Sequence, residues 1–124
     1  MMTDNELTYI IRGAVWDVYN ALGPGLLESV YEEALCFELQ ERGLKVERQK
    51  QVPIIYKGNC LNTELRIDIL VEDQIVIELK SVEEMKPVFF KQTKTYLKLT
   101  GKHLGLLVNF GEHDMQKGIH RVIL

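Results

Sequence analysis

The sequence predicts an α/β domain in which one mixed β-sheet is flanked by helices. Residues 7–22 repeat apolar side chains at helical spacing, whereas residues 45–81 change to the two-residue alternation of strands. A further helical pattern at 87–100 then precedes an apolar strand at 103–110. Elements in the order ααβββαβ are typical of a sheet covered by helices rather than of an all-α or all-β domain.

Two helices are predicted at the start of the chain. The first, "LTYIIRGAVWDVYNAL", has Asp4 or Asn5 as its candidate N-cap, and it ends at "GPG" because proline lacks a donor and glycine permits positive φ. The second runs from about Leu27 to Arg42, and Gly43 is its C-terminal stop.

Three strands are predicted next. The first lies near 52–57 and is followed by a turn at Lys57-Gly58-Asn59, and two longer strands lie near 61–72 and 75–81. Together they supply the antiparallel part of the predicted sheet.

The last third of the chain is predicted as helix, strand and short edge strand. Pro87 begins the helix and Gly101 ends it. The strand "HLGLLVNF" at 103–110 is apolar on both faces, which indicates a central position in the sheet. The tail, "GIHRVIL", is a candidate for a short edge strand.

Composition narrows the class of protein. The 124 residues fit a single domain spanning 1–124, and 46% apolar with 27% charged residues is typical of a soluble globular chain. A net charge of −3 argues against general attraction to nucleic acid, although a local basic strip is present. No apolar run approaches the roughly 20 residues of a membrane span.

The termini and cysteines favour a cytoplasmic location. The N-terminal residues lack the basic flank of a secretory signal. Cys36 and Cys60 have no metal-ligand spacing, so we expect buried, reduced thiols rather than a disulfide.

The stretch "IVIELK" at 75–80 carries an acid and a base in an apolar strand. If 64–72 and 75–80 form a hairpin, one register places all the apolar side chains of the alternating set on one face. That register needs a three-residue loop, 72–74. Its pairs are Val71 with Ile75, Ile69 with Ile77, and Ile67 with Leu79, and Leu65 extends the same face.

The same register places like charges opposite one another. Asp68 then faces Glu78 and Arg66 faces Lys80, with Cβ atoms roughly 4.5–5.5 Å apart across the strands. Two opposed carboxylates repel, and a divalent cation with oxygen ligands would compensate them. The alternative is a solvated face on which Lys80 and Arg66 neutralise the two acids, and the hairpin by itself leaves both interpretations open.

The third helix completes a recognisable pattern. Gln92 and Tyr96 are one helical turn apart, after an Asp at 68 and a Glu-x-Lys at 78–80. This order resembles the PD-(D/E)xK nuclease superfamily, in its RecB-like branch. Ile67 stands where the motif's name has proline.

A closer resemblance is to an uncharacterised bacterial family named for its GxxExxY motif. That motif stands here as "GLLESVY", with Gly25, Glu28 and Tyr31. The stretches "VPIIYKG", "IVIELK", "YLKLTG" and "GLLVNFG" are also similar to this family, and the resemblance extends from about Leu7 to Gly118.

The resemblance implies a restriction-endonuclease-like fold and metal-dependent hydrolysis of phosphodiester bonds in nucleic acid. DNA is favoured over RNA as the substrate, although the sequence itself does not distinguish the two. It implies Mg²⁺ or Mn²⁺ as the cofactor, held by carboxylates and one backbone carbonyl. The implied metal ligands are Asp68, Glu78, the Leu79 carbonyl and the helical acid Glu28. The implied catalytic residues are Asp68, Glu78, Lys80, Glu28, Gln92 and Tyr96.

Several of these residues also have ordinary structural interpretations. Glu28 is an acid favourably placed at a helix N-terminus, Glu32 is a weaker candidate one turn on, and Tyr96 fits a half-buried core aromatic. A lysine stripe on the third helix fits either a solvated face or phosphate contacts. Its members are Lys91, Lys94 and Lys98, with Lys86 and Lys102 at the ends of the helix.

The sequence therefore leaves three classes of function open. The first is a metal-dependent nuclease, and the second is a catalytically silent nucleic-acid-binding or accessory module on the same fold. The third is a structural protein whose acids form a surface salt-bridge network. The expected partner is nucleic acid and not a membrane, and a homodimer or a protein partner is left open.

Overall fold

The computed structural model describes all 124 residues, from Met1 to Leu124. The chain forms three α-helices, seven strands and one short 3₁₀ helix, Met115–Lys117. The helices are α1 (Asp4–Leu22), α2 (Glu28–Glu41) and α3 (Pro87–Thr100). The strands are β1 (Val46–Val52), β2 (Ile55–Tyr56), β3 (Asn59–Cys60), β4 (Leu65–Val71), β5 (Ile75–Lys80), β6 (Leu104–Asn109) and β7 (Ile119–Ile123).

Five strands form one mixed sheet in the order β1-β4-β5-β6-β7. Only the β5–β6 pair is parallel, as expected for two strands joined through a helix. Every residue of β6 is buried, which confirms its interior position, and β7 is the edge strand predicted from the tail. The predicted mixed α/β class is confirmed.

The helices cover the two faces of the sheet. The apolar stripe of α1, with Leu7, Ile11 and Val15, packs with α2 into a core cluster against one face. Leu97 of α3 belongs to a second, smaller cluster, which also contains Val76 of β5. Because side chains alternate along a strand, β5 contributes to both clusters.

Helix boundaries follow the local signals closely, with one difference at the N-terminus. Thr3, rather than Asp4 or Asn5, caps α1: its hydroxyl accepts from the Glu6 N–H, and the Glu6 side chain accepts from the Thr3 N–H. This reciprocal arrangement satisfies two free donors, whereas a cap one residue later would satisfy fewer. Gly101, with φ of 70°, ends α3 as predicted.

The strand predicted near 52–57 is wrong in position. The strand lies earlier, at Val46–Val52, where "VERQKQV" is mostly polar. It occupies a sheet edge, pairing only with β4, so a charged face is tolerated there. Pro53 cannot donate a ladder hydrogen bond and follows the strand's end, and β2 and β3 form a separate small hairpin.

The predicted β4–β5 hairpin is confirmed in its loop and in two of its three predicted pairs, whereas Ile67 and Leu79 do not pair. Val71 pairs with Ile75 and Ile69 with Ile77, around a loop at 72–74. The ladder ends there, and the expectation that Leu65 and Ile67 share a face with Ile69 is wrong. Both pack into the smaller cluster instead. The face changes at Asp68, where side-chain hydrogen bonds replace the β4–β5 ladder.

Neither cysteine is paired. Cys36 lies in the core, and burial raises the pKa of its thiol to about 11. Cys60 is exposed on the β2–β3 hairpin, so the expectation of two buried thiols is wrong for that residue. None of the three helices has the length and apolar character needed to cross a bilayer.

Candidate active site

The site begins where the β4–β5 ladder ends. The backbone N–H of Asp68 donates to Oε1 of Glu78 at 3.2 Å, and the N–H of Leu79 donates to Oδ2 of Asp68 at 2.8 Å. Each carboxylate therefore takes the place of a ladder carbonyl on the neighbouring strand. The structure thus brings together the two acids that the hairpin register placed opposite one another.

The electrostatic state of Glu78 follows from its burial. Its residue surface is only 6% exposed, and loss of hydration raises the pKa of its carboxyl group to about 9. The negative charge of Asp68 and a hydrogen bond between the two carboxyl groups add to this rise, while the bond from the Asp68 N–H and the charge of Lys80 oppose it. Glu78 is therefore protonated at neutral pH when no cation is bound.

Neither basic residue of the hairpin forms an ion pair with these acids. The ammonium of Lys80 lies 4.5 Å from the centroid of the Phe89 ring, a cation–π contact to α3. Arg66 pairs with Glu64 at 3.3 Å on the surface. Because Glu78 is buried and both bases have other partners, this face is not a solvated salt-bridge cluster.

A cleft of about 320 Å³ opens between the start of α2 and these strands. Glu28 lines it as an exposed residue without an ion pair, and Glu32, one turn on, lines it as a buried one. Its other lining residues are Ser29, Gln49, Asp68 and Leu79. Helix α2 thus presents two acids to the cleft, and only Glu32 is tied to neighbouring side chains.

Helix α3 supplies the other side of the site. Burial raises the pKa of the Tyr96 hydroxyl, and the charges of Glu78 and Asp68 raise it further, which shows that the phenol lies within their field. Gln92, one turn before, is exposed and makes no hydrogen bond within the protein. Four lysines of the stripe are exposed and free of ion pairs: Lys86, Lys91, Lys94 and Lys98. The fifth, Lys102, pairs instead with Asp73 at 3.2 Å.

Tyr31 of the "GLLESVY" motif belongs to the core rather than to the cleft. Its ring is fully buried and stacks on Phe110 with centroids 4.3 Å apart. Its hydroxyl accepts from the Leu26 N–H at 3.1 Å and donates to the Gly23 carbonyl. Tyr31 therefore fixes the loop that precedes Glu28.

Sequence reasoning missed two residues that shape the site. Asn109, at the end of β6, is fully buried, and its amide bonds both the N–H and the carbonyl of Val82 at 3.0 Å. It thereby fixes the chain just after Lys80, and a buried amide at the end of an apolar strand was a readable signal. Gln49, which touches Asp68, lies in a polar stretch without periodicity and gave no such signal.

The donor set fits a hard divalent cation. Asp68 and Glu78 offer carboxylate oxygens side by side, with no paired cation to neutralise them. No three Asp, Glu, His or Cys side chains are gathered as a complete ligand cage. Mg²⁺ commonly binds through one or two carboxylates and keeps several waters, so a pair of acids is a suitable site for it.

Fold and site together define a restriction-endonuclease-like α/β protein with a pair of adjacent acids, one of them buried, followed by a lysine. The family model of the PD-(D/E)XK nuclease superfamily matches residues 5–122, and the chain belongs to this superfamily. Comparison with curated proteins found no match.

Among solved structures, the chain is similar to the crystal structure of SSO0001, with a TM-score of 0.59 and 20% sequence identity. The match covers 77% of this chain and 48% of SSO0001, so the present chain corresponds to about half the length of that protein. At this identity the likeness shows the fold alone, and the fold agrees with the restriction-endonuclease-like core expected from the sequence.

Proposed function

We propose that this chain is a metal-dependent nuclease that hydrolyses phosphodiester bonds of nucleic acid, and we favour DNA over RNA as its substrate. The observation that carries the proposal is the pairing of buried Glu78 with half-buried Asp68, which have no cationic partner within the protein. Two ionised acids at this separation are unfavourable, so the site either keeps a proton on Glu78 or binds a cation in its place. In a superfamily of nucleases, that cation serves phosphodiester hydrolysis.

Mg²⁺ or Mn²⁺ is the proposed cofactor, and when bound it activates a water and offsets charge on the phosphate. Asp68 and Glu78 would hold it, with the Leu79 carbonyl as a further ligand and Glu28 reaching it from α2. Binding requires Glu78 to release its proton. Glu78 thus changes its charge when the cation binds. Asp68 meanwhile stays fixed by the Leu79 N–H and the Gln49 amide, which donate to its two oxygens.

Lys80 is proposed to donate to the attacking water or to a phosphate oxygen. A compact ammonium suits this role, and its contact with Phe89 keeps it at the α3 side of the site. Tyr96 and Gln92 would donate to the scissile phosphate. Lys86, Lys91, Lys94 and Lys98, which have no acidic partners, would contact the neighbouring backbone phosphates.

We also propose a subfamily, a domain extent and a cellular location for the chain. We assign the chain to the GxxExxY family within the RecB-like branch on the strength of "GLLESVY" and the Gln-x-x-x-Tyr spacing. Residues 1–124 would act as one nuclease-like domain in the cytoplasm. A catalytically silent nucleic-acid-binding module is the alternative function, and the engagement of Lys80 with Phe89 is the observation that favours it.

A cleavage assay tests the proposal. Wild type, Glu78→Gln and the surface control Glu64→Gln would be incubated with single-stranded and duplex DNA and RNA, in Mg²⁺, Mn²⁺ or EDTA. We expect cleavage by wild type and control only with metal. Loss of even an outer-shell partner of a metal site lowers metal affinity or activity by about 10–100-fold. We therefore expect the cleavage rate of Glu78→Gln to fall by more than about 100-fold. Retained binding without cleavage in all conditions would support the silent module.

A further inference from the structure

Gln49 joins the buried acid of α2 to the acid of β4. Its side-chain NH₂ group donates to Oε1 of Glu32 at 2.6 Å and reaches Oδ1 of Asp68 at 3.4 Å. The two hydrogens of one amide can serve these two acceptors together. Gln49 also lines the cleft that contains both acids.

Glu32 is itself held in place. Arg48 donates to its other oxygen, Oε2, from Nη2 at 3.0 Å and from Nε at 3.3 Å. Glu32 thus has a fixed orientation and keeps Oε1 for Gln49. The amide of Gln49 is oriented by a partner that cannot easily turn away.

The backbone of β1 is distorted at the residue that makes these contacts. Gln49 has a φ of 48°, in the left-handed region that non-glycine residues rarely adopt. Arg48 and Lys50 on either side keep their pairs with Ile69 and Ile67 of β4, whereas Gln49 has no such pair. A strained residue held by its surroundings within a strand is a known mark of functional sites.

Gln49 and the Leu79 N–H approach different oxygens of the Asp68 carboxylate. The Leu79 N–H holds Oδ2 at 2.8 Å, and Gln49 approaches the remaining oxygen, Oδ1. One donor on each oxygen fixes the rotation of the carboxylate plane and so determines which lone pairs are left for a cation. Outer donors of this kind commonly set the affinity of a metal site.

We propose that Gln49 is a positioning residue, which through its carboxamide holds the Asp68 carboxylate in the orientation that binds the catalytic cation. This inference rests on the proposed nuclease function, because it assumes a cation at Asp68 and Glu78. Strand β1 would then orient a metal ligand, a role that neither the acids nor the lysine of the motif provide.

The test uses the positive φ of Gln49. Glycine adopts this conformation without strain, so Gln49→Gly removes the carboxamide and the backbone strain together, whereas Gln49→Ala removes the carboxamide and keeps the strain. Gln51→Ala is the matched control for Gln49→Ala, because Gln51 is an exposed glutamine two residues further along β1. Mn²⁺ alone would be titrated calorimetrically into each protein, and the melting temperature of each metal-free protein would be measured.

We expect Gln49→Gly and Gln49→Ala to bind Mn²⁺ at least about 10-fold more weakly than wild type, with a higher melting temperature for Gln49→Gly than for Gln49→Ala. Wild-type affinity in Gln49→Gly would overturn the inference and leave the nuclease proposal intact. Equal weakening in Gln51→Ala would assign the effect to the strand as a whole and would also overturn it. If wild type binds no Mn²⁺, the inference and the proposed function are both wrong.

Discussion

The backbone N–H of Asp68 donates to the carboxyl group of Glu78, 3.2 Å away on the neighbouring strand. The Asp68 carboxylate in turn accepts from the N–H of Leu79, the residue after Glu78. These reciprocal bonds stand where the β4–β5 ladder stops, so they hold the two strands together and place two acids side by side. The same contacts that complete the hairpin therefore create the candidate metal site.

Stability of the metal-free protein should fall as pH rises, because Glu78 keeps its proton in the folded state up to a pKa of about 9 but loses it near 4.5 when unfolded. Between these values the folded state binds one more proton, which costs about 1.4 kcal/mol of unfolding free energy per pH unit. Asp4 and Glu6, whose pKa values are lowered, titrate below this range and do not mask the effect.

Urea unfolding in EDTA between pH 5.5 and 8.5 measures this slope. Glu78→Gln should remove most of it, since its amide donates to Asp68 as the protonated acid does and does not titrate. A wild type whose stability is flat or rises over this range would show that Glu78 is ionised in the metal-free fold.

Tyr96→Phe should separate chemistry from metal binding. The hydroxyl lies within the field of Asp68 and Glu78, and we propose that it donates to the phosphate as charge develops there. We expect kcat to fall by about 10-fold with KM and Mn²⁺ affinity unchanged. Tyr9→Phe, on an 81% exposed ring of α1, is the matched control. Loss of Mn²⁺ affinity in Tyr96→Phe would instead place this tyrosine among the residues that support the cation.

The unpaired lysines of α3 should determine how strongly salt weakens nucleic-acid binding. Each phosphate contact adds close to one to the slope of log affinity against log salt concentration. We expect the double variant Lys91→Gln and Lys94→Gln to reduce that slope by about 1–2 on duplex DNA in Ca²⁺. The double variant Lys45→Gln and Lys117→Gln, with the same change in net charge, should leave it unchanged. An equal reduction in both would indicate general attraction instead of a bound stripe.

Gly111→Ala should damage the segment that follows Lys80. A Cβ there would overlap the carbonyl oxygen of Val82 and lie 2.8 Å from its backbone C and N atoms, which cannot move aside as a flexible side chain can. We expect a loss of about 3 kcal/mol in unfolding free energy, measured by urea denaturation. Gly13→Ala, where the new Cβ lies 3.0 Å from the guanidinium at the far end of the Arg42 side chain, should be neutral or stabilising. Equal stability of the two variants would contradict this account of the Val82 segment.

Some parts of this fold can be predicted from the sequence because a strong local signal fixes them. Alternation of apolar residues in β4 and β5 allows one register, and from it the opposition of Asp68 and Glu78 follows. Pro87 and Gly101 mark both ends of α3 because each permits only a few backbone conformations.

Other parts depend on tertiary contacts that no local pattern records. β1 is a polar edge strand with little apolar alternation, so its position at Val46–Val52 differs from the one that the sequence predicts. The change of face at Asp68 arises from side-chain bonds across the hairpin, and the left-handed φ of Gln49 is imposed by its surroundings. Likewise, only the folded contacts distinguish the exposed Glu28 from the buried Glu32.

Calorimetric titration of Mn²⁺ into wild type and Glu78→Gln at pH 7 tests the central claim most directly. Because Glu78 is protonated at this pH in the metal-free protein, metal binding should release close to one proton, seen as a dependence of the heat on the buffer's ionisation enthalpy. We predict one Mn²⁺ site with this proton release in wild type and its loss in Glu78→Gln. Equal Mn²⁺ binding by both proteins, or no binding by wild type at millimolar Mn²⁺, would contradict the assignment of Asp68 and Glu78 as a metal site.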